Sequence, residues 1–179
     1  TDEGVVTANE LHIPTGRPVS IQLRSQDVIH SFWIPKLAGK VDLVPNNENS
    51  MWIQADVPGD YSGQCAEFCG IAHGRMRFRV HAETPENFDK WLEDMRTPPV
   101  PYAGEGYGLF LANCSMCHSI DSYTFGSYER EIQVQDERWN AWYSDPEGAV
   151  RVSAPNLTHL AMRTTLASGE QPLNRENLI

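Results

Sequence analysis

The sequence predicts a mainly β domain of the Greek-key sandwich or small-barrel kind over residues 1–96, with a second, smaller unit behind a stiff spacer. Three observations carry this prediction. Short segments alternate apolar and polar residues with period two, Gly and Pro turns close them, and a proline cluster interrupts the chain where the alternation ends.

The segments follow in order. After the turn Pro14-Thr15-Gly16, Val19, Ile21 and Leu23 alternate with Ser20, Gln22 and Arg24. Met51, Ile53 and Ala55 alternate with Trp52, Gln54 and Asp56 before the turn Pro58-Gly59-Asp60. Met76, Phe78 and Val80 alternate with Arg77, Arg79 and His81. Between strands lies the apolar run Val28-Ile29-His30-Ser31-Phe32-Trp33-Ile34-Pro35, with one histidine inside it. A helix closes the domain: Thr84 is an N-cap, Pro85 takes the first helical position, and Phe88, Trp91, Leu92 and Met95 share one face that packs on the strands. Thr97-Pro98-Pro99-Val100-Pro101 cannot continue a helix and reads as a polyproline spacer, so residues 97–103 are the linker and 104–179 the second unit.

Bulk properties set outer limits. The formal charge of −10, from 14 Lys+Arg against 24 Asp+Glu, and a pI near 4.9 argue against nucleic acid as a partner. Residues 121–147 hold seven acids against Arg130 and Arg138, an acidic segment that reads equally as a docking surface or a solvated loop. A mean hydropathy of −0.45 and the lack of a long apolar run exclude a membrane helix within the sequence. With neither an initiator Met nor a signal peptide at Thr1, the expectation is a piece of a longer protein.

The chemistry concentrates in Gln64–Met76, which places Cys65, Cys69, His73 and Met76 within thirteen residues, with Gly70 and Gly74 to bend the backbone. Thiolate, imidazole and thioether donors together select copper, and the thioether counts against structural zinc. One imidazole for two cysteines leaves a second to come from elsewhere, and His30 is the best donor. His12 and His81 lie on segments without other ligand-type residues and read as core histidines. A Cys65–Cys69 disulfide is the alternative, though it leaves His73 and Met76 unexplained. Further on, Cys114-Ser115-Met116-Cys117-His118 has the spacing for c-type haem: two thiols add to the vinyl groups and the histidine binds iron. A bare Cys-x-x-Cys also suits a redox dithiol or half a zinc site, but no second pair remains for zinc.

His30-Ser-Phe-Trp-Ile-Pro, Lys40-Val-Asp42 and Gly63-Gln-Cys65-Ala-Glu67-Phe-Cys69-Gly-Ile-Ala-His73-Gly-Arg-Met76 closely resemble the binuclear copper (CuA) domain of cytochrome c oxidase subunit II. The resemblance covers about residues 5–95 and implies a cupredoxin-like fold. It implies that Cys65 and Cys69 bridge two coppers, that His30 and His73 each cap one, and that Met76 and the Glu67 carbonyl are weak axial ligands. It further implies that the Glu67 side chain turns towards a magnesium ion at the interface with catalytic subunit I. Two coppers sharing two thiolates spread one unpaired electron over both metals, so bond lengths change little on reduction and transfer is fast. Phe68, Ile71 and Trp33 are expected to wall the site.

Leu109-Phe110 resembles the first helix of class I cytochromes c, a small, mainly α fold, and Pro155-Asn156-Leu157-Thr158-His159 looks like the segment after the haem loop. A CuA domain followed by such a cytochrome resembles subunit II of caa-type haem-copper oxidases. That implies an electron relay: an external cytochrome c or similar donor, then the haem at His118, then CuA, then subunit I, where oxygen is reduced. It also implies other oxidase subunits as partners, membrane attachment through upstream helices, and a periplasmic or outer-face location in a bacterial plasma membrane. The axial methionine of that family lies further on, so the expected sixth iron ligand is beyond Ile179, ahead of Met162 and His159. Asn174–Ile179 looks like a capped first helical turn. Two other classes remain: a free-standing two-centre electron shuttle, and a nitrous oxide reductase CuA module, for which six histidines in all are too few.

Overall fold

The computed structural model describes residues 5, 7–97, 105–114, 118, 157, 159–167 and 170–178. The Pro-rich linker beyond Thr97, the acidic segment and Cys117 lie outside them. Contacts divide the chain into two units: residues 9–91 with 163–179, and residues 1–8 with 92–162.

In the first unit the alternating segments form seven strands: β1 (Glu10–Pro14), β2 (Val19–Leu23), β3 (His30–Trp33), β4 (Val41–Leu43), β5 (Asn49–Ile53), β6 (Gly59–Cys65) and β7 (Arg77–Glu83). Five make one sheet in the order β1-β7-β6-β3-β4, and β2 pairs with β5 in a second. Only β1 and β7 run parallel within these sheets, with His12 opposite His81; the other pairs are antiparallel. The sequence placed the His30 run between strands. It is itself β3, because its backbone completes the ladder between β4 and β6.

The period-two pattern selects the buried face. Ile13, Ile34, Ile53, Ala55, Val80 and Ala82 form a closed core, with Val19, Ile21 and Met51 of the second sheet packed against it. This joins the two sheets face to face, as a mainly β sandwich requires. Gly16, at φ +78°, turns the chain after β1, and its amide bonds the carbonyl of Ala55. In β7 the alternation breaks: Val80, His81 and Ala82 are all buried. The second face is covered there by residues from the C-terminal segment, where β8 (Thr165–Leu166) and β9 (Gln171–Pro172) form a small hairpin.

Helix α1 (Pro85–Arg96) begins as its cap predicts, Thr84 Oγ1 accepting the amide of Asn87 at 3.3 Å. Trp91 lies flat on His12 with ring centroids 4.0 Å apart. Met95, in the other unit, is buried. There, α2 (Glu105–Asn113) includes Leu109 and Phe110, and the His118 amide donates to the Cys114 carbonyl at 2.9 Å. Asn174 Oδ1 caps a 3-10 turn at Glu176–Leu178. Among the described residues no helix is long and apolar enough to cross a membrane.

Candidate metal centre

The loop from Cys65 to Met76 leaves the end of β6 and returns at the start of β7. Its two ends are tied by the Cys65 amide on the Met76 carbonyl at 2.9 Å, and the Ala66 amide bonds the Ser31 carbonyl of β3 at 3.0 Å. This second bond sets the loop beside His30, which is why a residue 35 positions upstream meets Cys65. Within the loop Gly70 adopts φ +123°, where a side chain would be strained, and a 3-10 turn at His73–Arg75 brings the imidazole back over the cysteines.

The donor atoms converge. Cys65 Sγ lies 3.7 Å from Cys69 Sγ, 3.9 Å from His30 Nδ1 and 3.2 Å from the Glu67 carbonyl oxygen. Cys69 Sγ lies 3.5 Å from His73 Nδ1 and 3.8 Å from Met76 Sδ. The sulfur separation far exceeds the ~2.05 Å of a disulfide, and both thiols are free. All six sequence-predicted positions are thus brought to one place, each imidazole presenting the same ring nitrogen to a different sulfur. Two thiolates, two imidazoles, a thioether and a carbonyl are a soft donor set that fits a CuA-type copper site.

Electrostatics favour a thiolate here. Burial opposes ionisation of Cys65, but backbone hydrogen bonds at Glu67 and Ser31 and the two imidazoles outweigh it and hold its pKa at about 6. Burial and the neighbouring Cys65 push Cys69 up, so the two sulfurs share one proton near neutrality. Sequence reasoning missed Asp27, whose Oδ1 lies 2.9 Å from His30 Nε2. Its carboxyl is held down to about 2, chiefly by that bond, which keeps the ring proton on Nε2 and the lone pair of Nδ1 towards Cys65. The Asp27-x-x-His30 spacing was the available signal.

Two expectations are corrected. Ile71 does not wall the site; it is 109% exposed, because the loop carries it outward while its sulfurs turn in, whereas Phe68, 77% exposed, sets its ring edge-on to His73 at 5.8 Å between centroids. His12 and His81 are not isolated core residues, since the parallel β1–β7 pair gathers them with Glu10. Glu67 points its carboxylate at Lys40 Nζ, 3.6 Å away.

In the second unit Cys114 is exposed and His118 partly buried. Met162 is more than a third exposed, whereas His159 is partly buried and engages the backbone of Met95.

The family model described as cytochrome c oxidase subunit II, periplasmic domain, matches residues 4–83. Subunit 2 of the cytochrome c oxidase of Alkalihalophilus pseudofirmus is 35% identical over 93% of this chain and 55% of its own length. That of Bacillus sp. PS3 is 33% identical over 99% of this chain and 47% of its own. The chain therefore spans about half the length of these relatives. An alternative cytochrome c oxidase subunit 2 from Bradyrhizobium diazoefficiens, 40% identical, aligns over only 54% of this chain and 35% of its own length. Among solved structures, the periplasmic domain of cytochrome oxidase subunit II of Bradyrhizobium japonicum is 30% identical with a TM-score of 0.48, covering 52% of this chain and 67% of that one. Family match, relatives and sulfur-rich loop coincide over the first unit, and residues 4–83 of the chain match the periplasmic domain of the cytochrome c oxidase subunit II family.

Proposed function

We propose that this chain is the electron-relay part of subunit II of a caa-type haem-copper oxidase, taking electrons from an external donor through a c-type haem and binuclear copper to the catalytic subunit. The observation that carries it is the convergence of Cys65, Cys69, His30, His73, Met76 and the Glu67 carbonyl. Cys65, Cys69, His30, His73, Met76 and the Glu67 carbonyl would hold the two coppers between them. Bound there, the pair supplies a redox centre whose single electron is shared between equivalent metals.

The protein's own residues do the rest. Asp27 orients His30, and the strand ends hold the sulfurs so that ligand positions change little between redox states. Exposed Phe68 and Ile71 put apolar surface at the mouth of the site. Glu67 serves a magnesium site at the interface with subunit I, in exchange for its contact with Lys40.

The sequence bounds the cytochrome c domain of this reading at residues 104–179; since residues 163–179 group with the β unit, it is drawn here from residues 104–162, with haem on Cys114 and Cys117 and iron on His118. The Cys-x-x-Cys-His spacing supports it, as does the run of the Alkalihalophilus and Bacillus matches through nearly the whole chain where the Bradyrhizobium relative aligns over about half. Membrane attachment through preceding helices and a periplasmic or outer-face location complete the proposal.

An electron paramagnetic resonance spectrum of the copper-loaded, oxidised protein tests it. Hyperfine structure from one electron on two equivalent coppers is expected. The pattern of a single copper would overturn the reading and favour a free-standing mononuclear shuttle.

A further inference from the structure

On the side of the main sheet formed by β1 and β7, His12 and His81 stand directly opposite each other with ring centroids 4.7 Å apart. Each gives Nδ1 to a carboxylate: His12 to Glu83 Oε1 at 3.2 Å and His81 to Asp60 Oδ1 at 2.7 Å. A carboxylate at Nδ1 keeps the ring proton there and leaves the lone pair on Nε2. That is the arrangement found behind metal-bound histidines.

Nε2 of His81 faces Glu10 Oε2 at 3.8 Å, and one donor atom from each of Glu10, His12 and His81 lies within 4.8 Å of the other two. Glu10 is itself fixed: its Oε1 accepts the amides and hydroxyls of Thr164 and Thr165 at 2.7 to 3.0 Å. Thr164 Oγ1 also lies 3.4 Å from His81 Nε2. Trp91 covers the face of His12, and Glu10 and His81 are buried. Three carboxylates, Glu10, Asp60 and Glu83, surround the two rings. Arg163 lies within electrostatic reach of Glu10. Burial and the neighbouring His81 hold the His12 pKa down to about 4, in the neutral form that ligates.

We propose that Glu10, His12 and His81 form a second metal site, separate from the sulfur loop, that takes one divalent cation of the zinc class. The chemistry selects that class: two imidazoles and one carboxylate suit zinc, whereas magnesium and calcium call for all-oxygen shells and the site has no thiolate to draw copper(I). Zinc bonds of ~2.0–2.1 Å set tetrahedral donors about 3.4 Å apart. From separations of up to 4.8 Å the donor atoms therefore close by about 1.4 Å at most, on strands already held in register. Asp60, Glu83 and the two threonines are the outer ring that orients the three ligands.

The test uses the full chain with its copper in place, titrated with Zn2+ by calorimetry and examined by X-ray absorption at the zinc edge. One equivalent is expected, in a shell of nitrogen and oxygen at ~2.0–2.2 Å without sulfur at ~2.3 Å. His12→Gln and His81→Gln should abolish it, and Asp60→Asn should weaken it about 10- to 100-fold, with the copper spectrum unchanged. No bound equivalent, a sulfur-containing shell, or binding that survives in the double His12→Gln/His81→Gln variant overturns the proposal. If the histidine variants lose the copper spectrum and so fail to fold, Asp60→Asn decides, its side chain being 72% exposed and its removal mild; unchanged zinc affinity there also overturns it.

Discussion

Asp27 acts on the copper site without touching a sulfur. Replacing it with Asn removes the carboxylate that holds His30 in its ligating tautomer, and copper affinity should fall about 10- to 100-fold in a chelator competition. Proton accounting gives a second prediction at this scale. The Cys65 pKa is depressed from 9.0 to about 6, so its contribution to stability is full above 9.0 and disappears as pH falls through 6. Cys69 is raised and still protonated near neutrality. Copper loading of the thiol form should therefore release the Cys69 proton at neutral pH, together with the share of a proton that Asp27 holds on His30, and a further one from Cys65 below its pKa, measured in a pH-stat. Gly63 shows packing at single-atom resolution. A Cβ there would run into the Phe78 ring, which stacks on Phe32 beside Cys65. Gly63→Ala should destabilise the domain by about 1–3 kcal/mol in urea unfolding.

Among the elements, the C-terminal hairpin is the one that the sequence least anticipates. Its Thr164 and Thr165 donate to Glu10, more than 150 positions earlier. Burial opposes the Glu10 charge, but these hydrogen bonds outweigh it and hold the carboxyl below its ordinary value of 4.5. The clamp is therefore complete above that value and is lost as pH falls through the lower folded one. Hydrogen exchange at the Thr164 and Thr165 amides should be slow at neutral pH and accelerate in acid beyond the intrinsic trend. Helix α1 was legible at its start: Thr84 caps it, Pro85 opens it and Trp91 packs on His12 of β1, as their spacing predicts. The strand alternation was legible for β2 and β5 and failed at His81, because period two reports one buried face and cannot see a second covered by distant chain.

At the scale of the molecule, the proposed two centres predict independence. Cys65→Ser should reduce the copper site to a mononuclear or empty one while covalent haem survives, and Cys117→Ala should weaken or abolish covalent haem while the copper spectrum stays. Pyridine haemochrome and paramagnetic resonance spectra on the same samples check both. Loss of both signals in either variant would contradict separate domains.

The sequence by itself determined the β architecture of the first domain, its capped helix and the residues of the sulfur loop. These are local properties: periodicity, turn chemistry and ligand spacing within thirteen residues are written along the chain. Only the tertiary structure decided how closely His30 meets Cys65, that Asp27 stands behind it, that Ile71 turns outward, and that Glu10, His12 and His81 converge. Those depend on β3 lying beside β6 and β1 running parallel to β7. Strand pairings between segments far apart in sequence are set by how the two sheets close on their shared apolar core, and no local pattern encodes them.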